Sequence, residues 1–153
     1  MKLTDMLQEP LIFPDLWIHQ KEEALRVMSE GIAKAVPEVD AKDLFATIME
    51  REKLCSTGIG SGIAIPHAKI PKLAAHVMAM GRSRAGIDFG SIDKKPVHLI
   101  FMIVGPTASN ENHLKALARI SKFLHDTNFR DRLLTADSAK KIYDIIADKD
   151  AQY

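Results

Sequence analysis

Ser56-Thr57-Gly58-Ile59-Gly60-Ser61-Gly62-Ile63-Ala64-Ile65-Pro66-His67 runs a polar, glycine-rich loop into a short apolar segment that ends at a histidine. Gly58, Gly60 and Gly62 allow close backbone approach and backbone angles closed to other residues. Histidine is the side chain best suited to gain and lose charge near neutral pH. Backbone N–H groups from Thr57 to Gly62 would form an anion-binding nest, with the hydroxyls of Ser56, Thr57 and Ser61 as further donors. Neutral imidazole is also a nucleophile, and a phosphorylated ring nitrogen is a labile carrier. The pattern therefore suits handling of an anion such as phosphate.

Other chemistries fit less well. The spacing is G-x-G-x-G rather than G-x-G-x-x-G, and Ile63-Ala64-Ile65-Pro66 does not open a helix, so the dinucleotide fingerprint fails. No Gly-Lys-Ser/Thr completes a phosphate-binding P-loop. No second His, Cys or carboxylate stands near His67 at metal-ligand spacing, no Ser-nucleophile elbow is present, and no cofactor is expected. On spacing alone, a plain glycine turn accounts for the loop as well as an anion cradle does. His67 alone fits a surface or core histidine as well as a catalyst.

The elements that must position these residues follow from periodicity. Residues 1–19 are broken by Pro10 and Pro14 and are expected to be irregular, with at most short strands. Lys21 to Ala35 predicts a helix burying Ala24, Leu25, Met28 and Ile32. Asp40 caps a second helix, to about Glu52, burying Leu44, Phe45, Ile48 and Met49. Gly62–Pro66, His76–Arg84 and Val97–Val104 predict strands, the last buried on both faces and ended by Gly105-Pro106. Glu111 to Leu124 predicts a helix with Leu114, Leu117, Ala118, Ser121 and Leu124 inward and Ser109 or Asn110 as cap. Phe129–Thr135 and a final helix capped by Ser138, burying Ile142, Ile145 and Ile146, complete the chain. Helices on both sides of a strand group imply one layered α/β domain over residues 1–153.

Two side chains outside the loop then become candidates. His113 falls in the first turn of its helix, where the dipole disfavours a protonated imidazole. It is either a neutral donor to an anion or a capping or surface histidine. Arg51 ends the second helix, where it either clamps an oxyanion with its fork of donors or complements the helix dipole. Cys55, His19, His76, His98 and His125 read as structural, and Trp17 as a packing anchor.

Composition narrows the partners. With 46% hydrophobic and 27% charged residues, a buried core is expected. A net charge of +1 offers no attraction for nucleic acid or an anionic membrane. One cysteine excludes an internal disulfide framework and points to a reducing compartment. The N-terminus lacks a signal core, and the longest apolar run, Leu99 to Val104, is far short of the roughly 20 residues of a span. A cytoplasmic protein without membrane insertion is expected.

Met49-Glu50-Arg51-Glu52-Lys53 together with Ser56 through His67 resembles the signature of the enzyme IIA proteins of the bacterial phosphotransferase system, in the fructose–mannitol branch that includes nitrogen-regulatory IIA proteins. Pro96 to Val104, followed by His113-Leu114 and Leu117, resembles that family's later strand and helix, so the likeness runs from about Leu3 to Ile146. The resemblance implies a central mixed sheet flanked by helices. It implies that His67 takes a phosphoryl group at Nε2 from phosphorylated HPr, with His113 and Arg51 close by. The group then passes to a cysteine of a IIB domain, or its presence controls contacts with regulatory target proteins. The Arg51-to-His67 block resembles the nitrogen-regulatory form slightly more. The family's usual glycine after the histidine is Ala68 here, and Ser61 stands where many members have asparagine.

Overall fold

The computed structural model describes residues 2–108 and 110–153. It folds as a mixed six-stranded sheet between two helical layers. After a 3-10 turn at Leu3–Asp5, the elements are β1 (Leu7–Phe13), α1 (Lys21–Ala35), α2 (Ala41–Leu54), β2 (Gly58–Gly60), β3 (Ile63–Ala64) and β4 (His67–Ile70). They continue with β5 (Val77–Ile87), β6 (Val97–Pro106), α3 (Asn110–Leu124), α4 (Thr127–Thr135) and α5 (Ala139–Ala151). The strand order is β1-β5-β6-β3-β2, with β4 also paired to β6. β5 and β6 are antiparallel, whereas β1 on β5, and β3 and β4 on β6, are parallel.

β6 is the hub because its side chains are apolar on both faces. Leu99, Phe101 and Ile103 enter a core with α3, α4 and α5, and Ile100, Met102 and Val104 enter another with α1 and α2. Such a strand needs cover on both sides, and the three-layer arrangement supplies it. Caps set the helix starts where the sequence placed them: Asp40 accepts from Lys42 and Asp43, and Ser138 from Lys141.

Several expectations require correction. Residues 7–13 form a seven-residue strand despite Pro10; β1 lies at the sheet edge, where a missing ladder donor is tolerated. α3 is rotated from the expected face: it buries His113, Ala116, Ile120, Phe123 and Leu124, while Leu114 is 65% exposed. In α2, Glu52 joins Leu44 and Ile48 as the buried stripe, with Phe45 and Met49 at its margin. Trp17 is exposed, so it anchors no core. β2 and β4, too short to show a period, were not foreseen. Of the two expected caps of α3, Asn110 lies within the helix and Ser109 lies outside the described residues. Among the described residues no helix is long and apolar enough to cross a membrane.

Candidate functional site

His67 opens β4 at a break in the sheet. β3 and β4 pair with β6 in one register, Ile63 opposite Leu99 and His67 opposite Ile103. They form one strand interrupted at Ile65-Pro66, where proline offers the ladder no N–H. Ile65 N donates to Thr57 O (3.0 Å), and Pro66 O accepts from Ile103 N (2.9 Å). The Ile65 carbonyl meets His67 Nδ1 at 3.0 Å. A carbonyl can only accept, so in the neutral ring Nδ1 carries the proton and Nε2 the lone pair, which meets no hydrogen-bond donor among the described residues.

Alternation along β4 sends Ala68 and Ile70 into the core under α1 and α2, and His67 and Lys69 to the α3 side. Lys69 Nζ donates to Asn110 Oδ1 in the first turn of α3. His113, three residues on, is 5% exposed, and its ring centroid lies 5.4 Å from that of His67 in an edge arrangement. Neither ring nitrogen has a hydrogen-bond partner among the described residues. Burial, then repulsion from His67, His76 and Lys69, pulls the His113 pKa down to about 4. The N-terminus of α3 acts in the same direction. His113 is thus a neutral imidazole with an N–H to offer, next to the histidine with a free lone pair.

A third ring was set aside in the sequence. The β5–β6 register, Val77 opposite Val104, carries His76 to Gly105. There its ring centroid is 5.7 Å from that of His113. His76 is buried, its Nε2 has no partner among the described residues, and burial lowers its pKa. The available signal was alternation: His76 precedes Met78 and Met80, which face the α3 core.

The glycine loop is placed differently from expectation. Gly60, Ser61 and Gly62, all at positive φ (94°, 57° and 77°), turn β2 into β3 as a hairpin. Ser61 N donates to Asp93 Oδ2 (3.1 Å), and Gly62 O accepts from His98 N (2.8 Å) and Leu99 N (3.0 Å). From Leu99 to Ile103 along β6 is about 13 Å at the ordinary strand rise, so the hairpin tip does not reach His67. Thr57 lies nearer, but its N–H donates to both oxygens of Glu52 (3.2 Å), and Gly58 N donates to Ser56 Oγ (3.0 Å). Of the amides expected to form an anion nest from Thr57 through Gly62, those of Thr57, Gly58 and Ser61 are engaged by Glu52, Ser56 and Asp93. Arg51 donates through Nη1 to Cys55 O (2.8 Å), closing the end of α2.

Glu52 is the residue that sequence reasoning overlooked. It is 6% exposed, pairs with Lys21, and accepts from the Thr57 amide and hydroxyl. It thereby fixes the segment whose carbonyl holds Ile65. Among the described residues no His, Cys, Asp and Glu cluster could hold a metal ion.

Residues 5–149 match the family described as phosphoenolpyruvate-dependent sugar phosphotransferase system, EIIA 2. The chain is 35% identical over 147 residues to a nitrogen regulatory protein of Bradyrhizobium diazoefficiens, covering 96% of this chain and 95% of that one. It is 39% identical over 150 residues to the fructose-specific EIIABC component of Bacillus subtilis, covering 98% of this chain but 24% of that longer protein. The crystal structure of nitrogen regulatory protein IIA-Ntr from Neisseria meningitidis superposes with a TM-score of 0.87 at 28% identity, over 94% of this chain and 98% of that one. The open mixed sheet, its helical layers and these matches agree: the chain belongs to the EIIA 2 family of the phosphotransferase system.

Proposed function

We propose that this chain is a phosphocarrier that takes a phosphoryl group on His67 from a phosphorylated HPr-type protein, within a regulatory, nitrogen-type phosphotransferase system. The observation that carries the reading is the Nδ1–H donation to Ile65 O, which leaves Nε2 as the nucleophile. In the transfer the Nε2 lone pair forms the bond to phosphorus. The bond from phosphorus to the donor breaks, its electron pair leaving with the donor, and the Nδ1 proton stays. Positive charge developing on the ring is stabilised through the same Nδ1–H by the Ile65 carbonyl. His113 donates an N–H to the phosphoryl oxygens without adding a cation. Arg51 supplies the fork of charge-assisted donors, turning from the Cys55 carbonyl toward the new dianion.

Similarity to nitrogen regulatory proteins over nearly the full length of both chains supports the regulatory setting. The 39% identity to the fructose-specific component supports a second reading, in which the group passes to a IIB cysteine during sugar uptake. Incubation with phosphoenolpyruvate, enzyme I and HPr, read by intact-mass spectrometry, is expected to add one phosphoryl group to wild type and none to His67→Ala. Undiminished labelling of the variant removes His67 from the role. Release of the label to a fructose-type IIB domain selects the transport reading. A label that stays on His67 and changes which proteins are captured selects the regulatory one.

A further inference from the structure

We infer that His76 is a positioning residue for phosphoryl transfer: its Nε2–H becomes the hydrogen-bond partner of His113 when the other side of the His113 ring donates to the phosphoryl group on His67. The inference rests on the carrier reading and goes beyond it, to a residue outside the motif.

The three rings lie on one face of the sheet. His67 comes from β4, His76 from the residue before β5, and His113 from the first turn of α3 above them. Centroid separations of 5.4 Å and 5.7 Å put His113 between the other two. Three buried ring nitrogens, both of His113 and Nε2 of His76, have no partner among the described residues. Buried polar atoms are ordinarily satisfied, and a catalytic role in which a reacting group arrives beside them is one reason for an exception. A phosphoryl group on His67 Nε2 is that arrival, but it engages one nitrogen of His113 only. A neutral imidazole that donates on one side must accept on the other. His76 Nε2–H, on the ring next to His113, is the neighbouring group able to supply that bond. The chain His76 N–H to His113, His113 N–H to phosphoryl then points every donor toward the dianion, so each bond polarises the next.

The backbone is shaped for the third ring. A Cβ on Gly105 would collide with His76 at Nε2 and Cδ2, so the absence of a side chain on β6 makes room for the imidazole. His76 also lines a cleft of about 530 Å³ with Asp5, Asn112 and Pro106. Lys69 from β4 acts against a proton on His113, and Asp5 from the N-terminal turn lines the same cleft as His76.

The test compares wild type, His76→Leu and His76→Gln, whose amide nitrogen can stand in for Nε2. The readouts are 15N NMR of the His113 ring in phosphorylated protein and quench-flow rates of transfer from phospho-HPr. In wild type His113 is expected as one fixed tautomer. In His76→Leu its two nitrogens average, and transfer slows roughly ten- to hundredfold, by analogy with the loss of a partner that orients a metal-ligating histidine. His76→Gln restores most of both. Should His76→Leu not fold, Gly105→Ala, which displaces the ring, is expected to reproduce its effects. Labelled protein whose variants match wild type in both readouts overturns the inference alone, as does His76→Gln behaving like His76→Leu. Wild type that accepts no phosphoryl group overturns the carrier reading and this inference with it.

Discussion

At His67 and His113 the same residue type is prepared for opposite tasks by its surroundings. A backbone carbonyl fixes the His67 tautomer. His113 is kept neutral by burial first, and then by repulsion from the other two imidazoles if they charge and from Lys69, so it stabilises an incoming anion by hydrogen bonding and not by charge. His113→Ala is expected to leave the His67 Nδ1–Ile65 bond intact. It should slow transfer roughly 10²–10³-fold, the usual effect of removing one preorganised donor. Quench-flow in both directions checks this, and unchanged rates remove His113 from the site. His67 was legible because its motif is contiguous. For His76, alternation with Met78 and Met80 gave its face, but only the β5–β6 register brings it beside His113.

Glu52 shows how elements, more than loops, hold the site. Its carboxylate joins α1 through Lys21, α2 through its own backbone, and the start of the hairpin through Thr57. Thr57 O in turn receives Ile65 N, and Ile65 O receives His67 Nδ1. Replacing Glu52 by alanine leaves Lys21 and the Thr57 amide without their buried partner. Lys21 is partly exposed and keeps its bond to Phe89 O, so the cost is expected to be about 1–3 kcal/mol, the range for leaving a buried donor such as the Thr57 amide unsatisfied. Urea unfolding should show a lower midpoint at unchanged slope, and transfer to His67 should slow because the Thr57–Ile65–His67 relay loosens. Much of this scale was readable beforehand. α1 and β6 have strong periods, and Asp40 and Ser138 are strong caps. What failed had physical causes: β2 and β4 are too short to carry a period, and the edge position that excuses Pro10 is a property of the sheet. The inward face of α3 was misjudged because its stripe begins with His113, a residue that hydrophobicity does not mark. Gly60 and Gly62, read as part of a cradle, serve the sharp β2–β3 turn.

For the whole molecule, burying two imidazoles between the sheet and α3 makes stability depend on pH well above the carboxylate range. An unfolded histidine titrates near 6.5, whereas folded His113 does so at about 4 and folded His76 below its ordinary value. Between these limits the unfolded chain binds protons that the folded chain refuses, so stability rises with pH and is lost on acidification through that window. His113 alone accounts for on the order of 3 kcal/mol between pH 7 and pH 4, and His76 adds in the same direction. Asp93, held low by the Lys95 and Ser61 amides, and Asp126, held low by Lys149, lose their contributions only at lower pH. The histidine effect therefore comes first. Urea titrations at half-unit steps should show wild-type stability falling steadily below about pH 6.5. His113→Leu, which removes the titrating ring and keeps the site apolar, should flatten the upper part of that slope. Equal slopes for the two proteins between pH 6.5 and pH 5 would mean that the folded chain admits the proton on His113, and the neutral-donor role would fall with it.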